Sequence, residues 1–114
     1  MYDFIYENED EFKQLERELK CMNMIAYKKL QFEIYPNLKK GSFQNAKKKG
    51  NLYEIELPTD ELFYTLYGKY KLTFEIIKNN IKLIDILPKE IILEHLDRKA
   101  YINKLTRTLL GISE

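Results

Sequence analysis

Basic residues dominate the middle of this chain. Between Ile34 and Tyr53 there are five lysines (Lys39, Lys40, Lys47, Lys48 and Lys49) and no acidic residue, whereas the first twenty positions carry seven Asp or Glu. Ammonium groups at this density could bind phosphate, and equally they could be the solvated face of a loop. The single histidine, His95, and the single cysteine, Cys21, are too few for a metal site built from soft ligands, and Cys21 is expected to pack rather than react. No glycine-rich phosphate cradle, G-x-S-x-G elbow or H-E-x-x-H helix occurs, so the common hydrolase and nucleotide-binding schemes have no basis here. Four tyrosines, Tyr53, Tyr64, Tyr67 and Tyr70, follow the lysines closely. Their rings could stack on bases or form the core side of a sheet.

The elements that must position these residues read as an α+β domain. Four short runs rich in β-branched and aromatic residues, Leu52 to Leu57, Leu62 to Tyr67, Tyr70 to Ile77 and Ile81 to Leu87, predict a mostly antiparallel meander. In the third run Tyr70, Leu72, Phe74 and Ile76 share one face while Lys71, Thr73 and Glu75 share the other, as in a half-buried strand. Gly68 and Lys78-Asn79-Asn80 supply turns, and Pro88 stops the sheet.

Before the meander, Tyr2 to Tyr6 alternates as an opening strand. Asn8 or Asp10 caps a helix from Asp10 to about Cys21, with Phe12, Leu15, Leu19 and Met22 on one stripe. Met24 to Tyr35 carries both a helical stripe and a strand-like alternation, and the helix is preferred, ending before Pro36. Asn37 to Gly50 is then a loop that holds the lysines. After Pro88, helical spacing returns at Ile92 and Leu96 and again from Ile102 to Ile112, with Asp97 as a cap between the two segments and Gly111 at the close. The expected fold is an N-terminal strand and two helices packed on a four- to five-stranded meander, with a C-terminal helix.

A chain of 114 residues, 45% hydrophobic, is expected to form one domain over 1–114. Its formal charge of +1 argues against a globally basic nucleic-acid binder. No secretory leader or bilayer-length apolar run is seen, so a cytosolic protein is expected.

Several strings resemble the RelE/ParE superfamily of toxins from bacterial toxin–antitoxin pairs. Lys47-Lys48-Lys49-Gly50-Asn51-Leu52-Tyr53-Glu54-Ile55 is similar to the family's lysine-rich turn and the strand after it, and Gly68 to Ile76 to a later strand. Asp97-Arg98-Lys99-Ala100-Tyr101 resembles the C-terminal segment that holds an Arg and a Tyr in the ribonuclease members. The resemblance implies metal-independent cleavage of ribosome-bound mRNA, by attack of a ribose 2′-hydroxyl on the adjacent phosphate, with no cofactor. It further implies Lys48, Arg98 and Tyr101 as catalytic residues, Lys47, Lys49 and Lys71 as RNA-binding residues, and an antitoxin protein as partner. Glu54 and Glu56 depart from the family, as does Lys71 where Arg is usual. Those departures leave a non-nuclease, protein-binding member of the same fold as the alternative.

Overall fold

A computed structural model describes residues 1–94. Strand β1 (Asp3–Tyr6) leads into helix α1 (Glu9–Met22). The Asn8 side chain caps α1 by accepting from the Glu11 N–H at 3.2 Å, and Glu9, Asp10 and Glu11 fill the first turn, where the helix dipole favours negative charge. Asn23 ends this helix and starts the next. Its carboxamide oxygen accepts from the Ala26 N–H at 3.1 Å, and its amide donates to the Pro58 carbonyl at 3.2 Å, which ties the helical corner to the sheet.

The second helical stretch runs through α2 (Met24–Lys29), a π-helical turn (Leu30–Ile34) and α3 (Tyr35–Lys39). It was expected to stop at Tyr35. A proline inside a helix loses one hydrogen bond and crowds the carbonyl four residues back. Here the wide turn carries the Tyr35 N–H to the Leu30 carbonyl, five residues back, so the carbonyl ladder is already displaced where the Pro36 ring enters.

Two further expectations are corrected. The lysine loop ends in a strand, β2 (Lys47–Lys49), which pairs antiparallel with β3 (Leu52–Glu56) across a two-residue Gly50-Asn51 turn. Gly50 takes φ +63°, a conformation that tight hairpins demand and side chains resist. The run Leu62 to Tyr67, expected as a strand, lies in helix α4 (Glu61–Tyr67). Asp60 caps it, accepting from the Phe63 N–H at 3.1 Å, and Gly68, at φ +86°, ends it. Phe63 and Tyr67, one helical turn apart, lie 5.0 Å between ring centres, and Phe63 stacks on Tyr70 at 4.2 Å. Because the Leu57 N–H donates to the Tyr70 carbonyl at 2.9 Å, β3 passes directly to the next strand and leaves no place in the sheet for the intervening run.

The sheet is completed by β4 (Lys71–Ile77) and β5 (Asn80–Leu87), in the order β1-β5-β4-β3-β2. All neighbours are antiparallel except β1 and β5. The α+β architecture with a mostly antiparallel sheet is as expected. At the β4–β5 turn, which falls at Lys78-Asn79 as expected, Lys78 takes the positive φ of 55°.

One face of the sheet is buried. Phe12, Leu15 and Leu19 of α1 share a core with Leu72 and Phe74 of β4 and Ile81, Leu83 and Ile86 of β5. Leu30 and Leu38 join them from the second helical stretch. Cys21, expected to pack, is exposed instead. A buried polar link also joins the helices: Glu16, 6% exposed, accepts from the Tyr35 hydroxyl at 2.8 Å and the Gln31 amide at 2.9 Å. Burial first, and then the Glu16 carboxylate, push the Tyr35 phenol well above its ordinary pKa. Residues 89–94 are helical, and Lys89 reaches back to Glu11 and to Asp85. The remaining C-terminal expectations, from His95 through Asp97, Arg98 and Tyr101 to Gly111, lie outside the described residues. Among those described, no helix is long and apolar enough to cross a membrane.

Two stability predictions follow from this packing. Phe74→Ala should cost about 3 kcal/mol in urea unfolding, since it opens a cavity in a side chain that is fully buried. Tyr35→Phe should cost about 1–3 kcal/mol in the same measurement, because it removes a donor from a buried carboxylate.

Candidate functional site

Strand β2 sorts the three consecutive lysines. Successive side chains of a strand point to opposite faces, so Lys47 and Lys49 share one side while Lys48 takes the other. Lys48 stands opposite Tyr53, its ammonium 5.8 Å from the ring centre. Lys47 stands opposite Glu54. The lysines are therefore not one cationic cluster.

On the shared side each ammonium meets a carboxylate. Lys49 lies 2.7 Å from Glu54, which is only 15% exposed, and Lys47 lies 3.8 Å from Glu56. Lys69 bonds Glu56 from beyond α4 at 2.9 Å, and Lys71 is the β4 residue directly across from Glu56. The hydrogen bond from Lys69 holds the Glu56 carboxyl below its usual range, helped by the charges of Lys69, Lys47 and Lys71. The same bond raises Lys69. Charge alternates along this end of the sheet, four ammonium groups against two carboxylates.

These residues line a groove of about 490 Å³ between the second helical stretch and the β2–β3 hairpin. Lys47, Lys49, Glu54, Glu56 and Lys71 form the sheet side, and Lys29, Glu33 and Asn37 face them from the helices. Of the residues predicted from sequence, the fold thus brings Lys47, Lys49 and Lys71 together. Lys48 does not line the groove. Arg98 and Tyr101 lie outside the described residues. Among the tyrosines, Tyr70 is buried and Tyr53 stacks on Phe74 at 5.4 Å, whereas Tyr64 and Tyr67 of α4 remain open.

Sequence reasoning missed the part played by Glu54, Glu56 and Lys69. A signal was present in the spacing: Lys47 and Lys49 on one arm, Glu54 and Glu56 on the other, with Gly50-Asn51 between them. Folded as a hairpin, that pattern sets opposite charges on one face. Chemically, the groove offers ammonium groups that can bind phosphate oxygens and carboxylates that can accept a hydroxyl proton. An incoming phosphate must displace a carboxylate from its lysine. No protein-family description, curated protein or solved structure matches the chain.

The Lys49–Glu54 pair sits at the rim, so its contribution to folding should be modest. A double-mutant cycle of Lys49→Ala and Glu54→Gln, followed by urea unfolding, should give a coupling of about 0.5 kcal/mol that shrinks as salt is raised.

Proposed function

We propose that this protein is the toxin of a toxin–antitoxin pair, a metal-independent endoribonuclease that acts on ribosome-bound mRNA in the cytoplasm. The observation that carries this reading is the groove of alternating lysines and glutamates, because 2′-hydroxyl attack on phosphate requires both charges at one place. Lys47, Lys49 and Lys71 would hold the phosphate. Glu54, released from Lys49 when phosphate arrives, would take the proton of the attacking hydroxyl. From the family resemblance, Arg98 would add positive charge at the developing phosphorane and Tyr101 would assist proton transfer to the leaving oxygen, whereas Lys48, on the other side of β2, is left without a part at this phosphate. The antitoxin would be an acidic or amphipathic segment that covers the lysine-bearing rim of the sheet.

A second reading is favoured by the same ion pairs. Lysines already matched by glutamates attract a polyanion less, which suits a non-nuclease member that binds and inhibits a protein target. Induced expression with and without the adjacent open reading frame, scored for growth arrest and for mRNA cleavage by primer extension, separates the two. The nuclease reading expects arrest with cleavage. It also expects Glu54→Gln, Lys49→Ala and Arg98→Ala each to lower cleavage by at least about 100-fold, with the folded state intact. Arrest that persists in all three variants without cleavage would replace the nuclease with the protein-binding inhibitor.

A further inference from the structure

Helix α4 was not expected from sequence, and it presents an aromatic ring that the core does not use. Phe63 turns inward and is 8% exposed, whereas Tyr64, the next residue, is 53% exposed. The Lys69 ammonium lies over its ring, 5.9 Å from the centroid. The ring is thus shared with a cation on one side, and more than half of the residue is open to solvent. Tyr64 and Lys69 line a second groove of about 490 Å³. Lys29 and Glu56 line both this groove and the one beside the β2–β3 hairpin, so the two grooves adjoin.

Adjoining grooves with ammonium groups in one and an exposed ring beside a further ammonium in the other have the composition of a single-stranded nucleic-acid track. Cations there follow the phosphates, and aromatic faces take up unpaired bases. Lys29 lines both grooves and Lys69 the second, with the carboxylates of Glu56 and Glu61 beside them. We propose that Tyr64 of α4 is a base-stacking subsite for single-stranded RNA, seating a nucleotide next to the one held by Lys47 and Lys49. The proposal rests on the RNA-directed reading above. It assigns Tyr64 to binding and not to the chemical step, so the ring should set affinity and leave the hydroxyl attack itself to the other groove.

The test uses a short single-stranded oligoribonucleotide that is 2′-O-methylated throughout, which blocks attack by the 2′-hydroxyl, and that carries one 2-aminopurine. Binding to the full chain is followed by fluorescence and, independently, by anisotropy of an end label. The wild type should bind and quench 2-aminopurine. Tyr64→Ala should weaken binding about tenfold and abolish the quench, while Tyr64→Phe keeps both, since stacking needs the ring and not the hydroxyl. Far-ultraviolet circular dichroism should show both variants folded, as expected at a position more than half exposed. Lys47→Ala combined with Lys49→Ala should weaken binding and flatten its salt dependence. If Tyr64→Ala binds and quenches like the wild type while the lysine variant is impaired, the stacking subsite is overturned and the RNA reading stands. If the wild type does not bind the oligonucleotide at all, the RNA reading fails and the subsite falls with it.

Discussion

The structure depends on burying one face of the β4–β5 hairpin. Leu72, Phe74, Ile81, Leu83 and Ile86 are each at most 1% exposed and lie in one core with Phe12, Leu15 and Leu19 of α1. Each such side chain contributes roughly 1.5–3 kcal/mol by leaving water, and a one-residue slip in either strand would turn the whole set outward. That constraint fixes the register from Ile77 opposite Asn80 to Lys71 opposite Leu87, with an irregularity between Thr73 and Phe74. Once the register is fixed, Lys71, Glu75 and Lys82 have to stand on the other face. Glu75 and Lys82 are directly opposed there and pair at 3.2 Å.

The same logic passes outward to the strands that carry the candidate site. Because β3 must place Ile55 beside Leu72 in the core, Glu54 and Glu56 are turned to the face where Lys71 already stands. Pairing of β2 with β3 then brings Lys47 and Lys49 onto that face as well. The ion pairs are thus a consequence of hydrophobic register, and the alternation of charge in the groove is inherited from it. Three lysines on an edge strand also discourage unwanted pairing with another sheet. Function and negative selection against aggregation can both be served by the same side chains.

Much of this architecture is written locally. The amphipathic stripe of α1, the Asn8 cap and the alternation of β4 are short-range signals, and each specifies its element without help from distant residues. The order of strand, helices and sheet could therefore be read from the sequence, as could the core pair Leu72 and Phe74. The run Leu62 to Tyr67 was ambiguous because its Phe63 and Tyr67 satisfy a helical turn while its aromatic and β-branched residues also suit a strand. Asp60 and Gly68 mark its ends as a helix, but the outcome rests on Leu57 joining Tyr70 across the sheet, a contact thirteen positions apart.

By itself, then, the sequence determined which residues face inward along α1 and β4, because periodicity and caps act over a few neighbours. It also placed five lysines, with no acidic residue among them, between Ile34 and Tyr53. Only the tertiary structure decided that Lys48 leaves the company of Lys47 and Lys49, that Glu54 and Glu56 answer those lysines, and that Tyr64 lies beside the same groove. Those arrangements arise from cross-strand pairing within the β2–β3 hairpin and from the seating of α4. Their free energy depends on contacts that do not exist until the sheet has formed, and only the spacing of Lys47 and Lys49 against Glu54 and Glu56 about Gly50-Asn51 gave a local sign of them.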